Sequence, residues 1–192
     1  MIQLSGMHLA PYMRLATLLI GKSREAGGNM FRHQIDTMGI LVDYDIIDSV
    51  LLKASIVHDI IEDIPDFNVN DLISIDVESH AVYDLVMEVT RHKGEAKSDF
   101  LTRIREIGSH NAKILKVADR ISNMISLGFV NNIDFVSRYT DETERYIFPI
   151  AQNVNGYMLM ELQSLAESRR KYIVEFANIQ REKMYADSTD FL

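Results

Sequence analysis

The chain has no cysteine, which excludes disulfides and thiolate zinc sites, so any bound metal has to be held by His, Asp or Glu. Proline is scarce, at Pro11, Pro65 and Pro149, and Gly27-Gly28 is the only glycine pair. Long proline-free stretches with apolar residues at the helical period predict an all-α protein. No alternating run with hairpin turn chemistry competes with that expectation. Long hydrophobic runs are also missing. Near the N-terminus the longest is about Leu15 to Ile20, far short of the roughly 20 residues of a bilayer span. No basic stretch or small-residue cleavage site precedes it, so we expect no signal peptide, no membrane association and a cytoplasmic protein.

What is present is a real core. The chain has 192 residues, 47% of them hydrophobic, which suits one domain or one domain with a helical appendage. No linker, repeat or low-complexity tract divides it, so residues 1–192 are expected to form a single domain. The formal net charge of -8 argues against a nucleic-acid partner. It leaves room for an anionic small-molecule substrate, because a local cluster of Lys and Arg beside a metal can outweigh the global sign.

The periodicity predicts helices over about His8 to Glu25, Phe31 to Leu41, Ile46 to Ile64, Val69 to Ile73, Glu78 to Arg91, Lys97 to Ile107, Ala112 to Leu127, Ile133 to Val154 and Gly156 to Tyr185. Gly27-Gly28 is read as the stop of the first. Asp45 is read as the N-cap of the third, which Pro65 ends. The last helix carries much charge on one face, so we expect it to lie across the domain or to support a homo-oligomer.

Against this helical background, the run from Ala54 to Asp63 stands out. His58-Asp59 and Glu62-Asp63 interrupt a segment that Leu51, Leu52, Ile56, Val57, Ile60 and Ile61 make apolar on most sides. On a continuous helix His58 and Glu62 form one i,i+4 pair and Asp59 and Asp63 another. Buried ionised groups are tolerated chiefly when they are paired or bind metal. A second apolar helix carries Asp119 with Asn123 one turn on. His33 opens a third. Together His33, His58, Asp59 and Asp119 offer two imidazoles and two carboxylates, a ligand mix suited to Mn, Fe or Zn with positions left open for water and substrate. His8, His80, His92 and His110 fall near element ends or in polar surroundings and are read as surface residues.

The order His … His-Asp … Asp resembles that of the HD-domain phosphohydrolases. It is most similar to the hydrolase domain of the RelA/SpoT enzymes and their small single-domain relatives, the (p)ppGpp hydrolases that include the metazoan SpoT homologues. Five ordered blocks carry the resemblance over about residues 14 to 155: Gly21-Lys-Ser-Arg24-Glu with Gly28 and His33; His58 to Asp63; Val89-Thr-Arg91 followed by Lys93 and Lys97; Lys116-Val-Ala-Asp119-Arg-Ile-Ser-Asn123-Met; and Glu142-Thr-Glu-Arg-Tyr146-Ile-Phe-Pro149-Ile-Ala151. In the last block, Tyr146 and Pro149 are expected to shape a helix bend behind the site.

The resemblance implies an all-α HD-domain helical bundle in which His33, His58, Asp59 and Asp119 hold one Mn2+ ion. It implies that Glu62 and Asp63 orient and activate the attacking water, and that Arg24, Lys97 and Asn123 contact a nucleotide. The implied reaction removes the 3′-pyrophosphate from guanosine tetra- or pentaphosphate. Departures from the pattern bear on the substrate rather than the metal: Glu25 stands where the family has Lys, Ile64 where it has Thr, and Asn29-Met30 where it has Pro-Tyr. An adenine alarmone, NADPH or a nucleoside monophosphate therefore stays open as substrate, as does a nucleotide sensor without catalysis.

Overall fold

Every residue of the segment Leu51–Val57 is buried, and the rest of the molecule is arranged around it. The computed structural model describes residues 6–189, with side chains to Ile179, and consists of helices in the order α1 (Leu9–Ala16), α2 (Met30–Asp43), α3 (Ser49–Val57), α4 (Ile60–Asp63), α5 (Asn70–Ile73), α6 (Ser79–Val89), α7 (Lys97–Ile107), α8 (His110–Ser126), α9 (Ile133–Glu142), α10 (Phe148–Val154) and α11 (Gly156–Thr189). A helix apolar on all sides has to be central, and α3 is enclosed by α1, α2, α6 and α8. Among the described residues the only β pairing is an isolated antiparallel bridge between Ser23 and Asn29. The all-α expectation holds.

Side-chain caps explain where the long helices start. Asn29 accepts from the backbone N–H of Phe31 at 3.0 Å, Asp48 from Leu51 at 2.7 Å, Ser109 from Ala112 at 3.1 Å and Asn132 from Phe135 at 3.0 Å. Each cap supplies a partner to an otherwise orphaned donor and is worth about 1 kcal/mol. Asp48, and not Asp45, therefore begins α3. Asp45 instead takes a left-handed turn at φ 56°, which a short polar side chain tolerates.

Two further expectations are corrected. The first helix ends at Ala16, with a 3-10 turn at Thr17–Leu19, well short of Glu25. Gly27-Gly28 do not stop it. They shape a separate loop over residues 20–29, and Gly27, at φ +87°, leaves only 3.3 Å between an added Cβ and the carbonyl oxygen of Ser126. The helix predicted over Ile46 to Ile64 is broken: α3 stops at Val57 and the one-turn α4 restarts at Ile60. Pro65 ends α4 as expected, with Ile64 in the extended conformation that precedes proline.

Between α9 and α10 the chain makes a π-helical turn, Thr143–Ile147, and Pro149 sits in the first turn of α10. A proline there cannot donate to the preceding helix, so the ladder re-registers. The long α11 packs across α8, α9 and α10. Arg169 donates from Nε to the carbonyl of Met124 at 3.1 Å, covering the end of α8. Arg170 pairs with Asp141 at 2.5 Å and Glu144 at 2.7 Å beside the π turn. Among the described residues no helix is long and apolar enough to cross a membrane.

Candidate metal centre

The break between α3 and α4 is what makes a site of His58 and Asp59. Neighbours on a regular helix point about 100° apart and do not face each other. At the break both side chains reach the same point, and His58 Nε2 lies 3.3 Å from Asp59 Oδ2. The i,i+4 geometry expected of a continuous helix therefore does not apply. Helix α2 brings His33 to the same place, with Nε2 3.5 Å from Asp59 Oδ2, and α8 brings Asp119, whose Oδ1 is 3.0 Å from His33 Nε2 and 3.8 Å from His58 Nε2. His33, His58 and Asp119 are all buried and offer one donor atom each within 4.8 Å of one another. Asp59 is more open, with 24% of its side chain exposed.

The outer nitrogens of both rings are already committed. His58 Nδ1 is 2.8 Å from the backbone carbonyl oxygen of Ser55, to which it can only donate. That fixes the tautomer with the Nε2 lone pair facing the two carboxylates. His33 Nδ1 is 2.8 Å from Ser122 Oγ, a buried contact that sets the ring plane. His58 Nε2 is buried without a hydrogen-bond partner. A lone pair aimed at carboxylate oxygens in a buried pocket is stable only when a positive charge sits between them. This arrangement fits a divalent cation.

The titration behaviour has the same origin. Burial lowers the pKa of His33, against the pull of Asp119. Burial opposes charge on His58 too, but Asp59 and Asp119 outweigh it and raise its pKa. Asp119 is held well below the ordinary carboxylate range: its burial is overcome by Lys116 and by the two imidazoles. The field that favours a proton among these groups is the field that a metal ion requires.

A cavity of about 500 Å3 opens beside the four residues. Glu62 and Asp63 line it. Glu62 accepts from the backbone N–H of Arg91 at 3.3 Å, and Asp63 is paired with Lys22 at 2.8 Å. Arg24, from the loop before α2, donates to Asn123 Oδ1. Asn123 in turn donates from Nδ2 to Asp119 Oδ1 at 2.6 Å, so it links a candidate ligand to a candidate phosphate contact. Lys97 reaches the cavity from α7, paired with Glu142 at 3.0 Å. Eight of the nine site residues anticipated from the sequence thus line one cavity, and His58 lies against two of them, Asp59 and Asp119. His8, His80, His92 and His110 are all exposed.

Several supporting side chains escaped sequence reasoning. Gln34 donates to Asp59 Oδ2 at 2.8 Å, and Lys116 pairs with Asp119 Oδ2 at 2.7 Å. Ser122 and Lys116 stand three residues either side of Asp119 on α8, so helical spacing alone could have flagged both. Arg120, adjacent to a candidate ligand, is 2% exposed and also lines the cavity. Its partners lie more than twenty residues away, beyond any local pattern.

No protein-family model and no curated protein matches the chain. Among solved structures it is similar to a metazoan ortholog of SpoT, a protein that hydrolyzes ppGpp and plays a role in starvation responses. The likeness has a TM-score of 0.73 at 21% identity and covers 87% of this chain and 98% of that one. The fold is therefore that of an HD-domain helical bundle.

Proposed function

We propose that this chain is a metal-dependent hydrolase, a single HD domain that removes the 3′-pyrophosphate from guanosine tetra- or pentaphosphate to give GDP or GTP. His33, His58, Asp59 and Asp119 would hold one Mn2+ ion. The observation that carries the reading is His58 Nε2, buried, unpartnered and aimed at two carboxylates on the edge of a cavity that also collects Arg24 and Lys97. The shared fold with a ppGpp-hydrolyzing protein supports the choice of substrate class.

The protein's own groups have defined tasks in this reaction. Arg24 binds phosphoryl oxygens through its planar fork, and Asn123 holds it in register with Asp119. Lys97 adds a second positive charge. A divalent cation held by His33, His58, Asp59 and Asp119 would supply Lewis-acid stabilisation of the phosphoryl group and would lower the pKa of water. Glu62, on the cavity wall, accepts the proton of the attacking water. Asp63, anchored by Lys22, orients that water. The water oxygen bonds to the phosphorus on the ribose 3′ oxygen, the bond to that oxygen breaks, and the 3′ oxygen leaves as a hydroxyl, the proton that Glu62 took from the water balancing the one it gains.

Glu25 also lines the cavity, and a carboxylate there narrows how phosphate groups can be placed. This favours testing the same chemistry on adenine alarmones and NADPH alongside ppGpp. The test is incubation of purified protein with Mn2+ and each nucleotide. Release of GDP and pyrophosphate from ppGpp is expected, and inertness across the whole panel overturns the proposal. Orthophosphate from a nucleoside monophosphate, without pyrophosphate from ppGpp, points instead to an HD nucleotidase. Tight ppGpp binding without turnover points to a sensor.

A further inference from the structure

Glu62, the base of the proposed reaction, is held by a single neighbour. Its Oε2 accepts from the backbone N–H of Arg91 at 3.3 Å, and its Oε1 lies 3.8 Å from the Arg91 guanidinium. Among the described residues neither oxygen has another hydrogen-bond or ion-pair partner. Glu62 stands on the one-turn α4, and a single helical turn is marginal by itself. Behind the pair lies open space. Glu62 and Arg91 line the reaction cavity and also an adjoining cavity of about 620 Å3 beside the loop over residues 90–95. Without Arg91 the carboxylate is free to swing from the first cavity into the second. Both side chains are partly open, and an exposed pair of this kind contributes little unless its members are held still.

What holds Arg91 still is Arg103, from α7. Its Nη1 donates to the carbonyl of Glu88 at 3.1 Å and its Nη2 to that of Thr90 at 3.0 Å. These acceptors belong to the last turn and cap of α6, where a helix leaves its carbonyls unpaired. Nε and Nη2 also reach the Glu95 carboxylate, at 2.8 and 3.1 Å, and Glu95 accepts from the backbone N–H of His92 at 2.9 Å. The N–H of Glu95 returns to the carbonyl of His92 at 3.0 Å. Residue 91 is therefore fixed from both sides, through the carbonyl before it and the N–H after it. Arg103 and the His92 N–H hold the Glu95 carboxyl down to about 2, so the tie keeps its charge at neutral pH.

We infer that Arg91 is a positioning residue for Glu62, and that the Arg103–Glu95 pair acts through Arg91 to keep this base in the reaction cavity. The inference rests on the reading of Glu62 as the general base. In this role neither arginine takes a proton or touches the reacting phosphorus. They restrict the orientations open to the carboxylate before a substrate arrives, which is where preorganisation gains rate.

The test is a double-mutant cycle in steady-state kinetics, run with Mn2+ on the nucleotide that the chain turns over fastest. Arg103→Met is expected to lower kcat about tenfold and to change KM less than about twofold. In a Glu62→Gln background the same substitution should leave the remaining kcat unchanged, because the group it positions is already gone. Arg91→Met keeps the backbone N–H and removes only the guanidinium. It should give a smaller loss of the same kind, and it carries the comparison should Arg103→Met not fold. Equal loss of kcat in both backgrounds, or a loss through KM alone, reduces Arg103 to a loop tie and overturns the inference. Amide hydrogen exchange separates that failure from failure of the reaction. The Arg91 N–H is expected to exchange about tenfold faster in Arg103→Met and in Glu62→Ala alike. In a chain that turns over no nucleotide the proposed reaction is refuted. Faster exchange in both variants then still supports the link from Arg103 to Glu62, and unchanged exchange overturns it.

Discussion

Ser122 and His33 meet in a buried contact, with the hydroxyl oxygen 2.8 Å from Nδ1, and this contact aims Nε2 at Asp119. Partners of this kind orient a ligating imidazole and tune its basicity. Ser122→Ala should weaken divalent-metal affinity by roughly tenfold or more, while costing only about 1 kcal/mol of stability. Metal titration and thermal unfolding of the same preparations check both halves.

Glu62 is expected to act on the water and not on the metal. Glu62→Gln should keep metal content and lower kcat by about a hundredfold or more, the usual range for a general base. Elemental analysis beside steady-state kinetics is the check, and normal turnover removes Glu62 from the mechanism.

Far from the cavity, Lys53 is buried at 3% exposure and pairs with Asp76 at 2.8 Å and Glu78 at 2.5 Å, while Tyr12 also donates to Asp76. Lys53→Met should destabilise the fold by about 2–3 kcal/mol, below the usual range for broken buried pairs because Glu78 remains partly solvated. Denaturant unfolding at neutral pH measures this.

The pH dependence of that network has a definite sign. Burial works against the Asp76 carboxylate, but Lys53 and the backbone N–H of Glu78 bring its pKa down, and Lys53 lowers that of Glu78. A depressed folded-state pKa gives stability that is present above the unfolded value, about 4, and lost as pH falls through the folded one. The gap between wild type and Lys53→Met should therefore be full at pH 7 and shrink below about pH 4. A gap that widens in acid contradicts the assignment.

The sequence revealed much of the chemistry and less of the geometry. His58, Asp59 and Asp119 were conspicuous because charged groups on apolar helices demand a reason. Pro149 announced a bend, although not the π turn that makes it. The break at His58-Asp59 left no trace, since neither Gly nor Pro marks it and the apolar spacing continues through Ile60 and Ile61. Asp45 has the side chain of a cap, but the tertiary path of the chain puts it in a left-handed turn and leaves the cap to Asp48. Lys53 gave no local signal of its role, because its partners Asp76 and Glu78 arrive from more than twenty residues away.

The central claim is that the buried imidazoles and carboxylates exist to hold a cation, and metal content tests it most directly. After incubation with Mn2+ and exhaustive dialysis, elemental analysis should find about one ion per chain in the wild type and close to none in folded Asp119→Asn or Asp59→Asn. A wild-type chain without metal, or variants that retain it, would contradict the account.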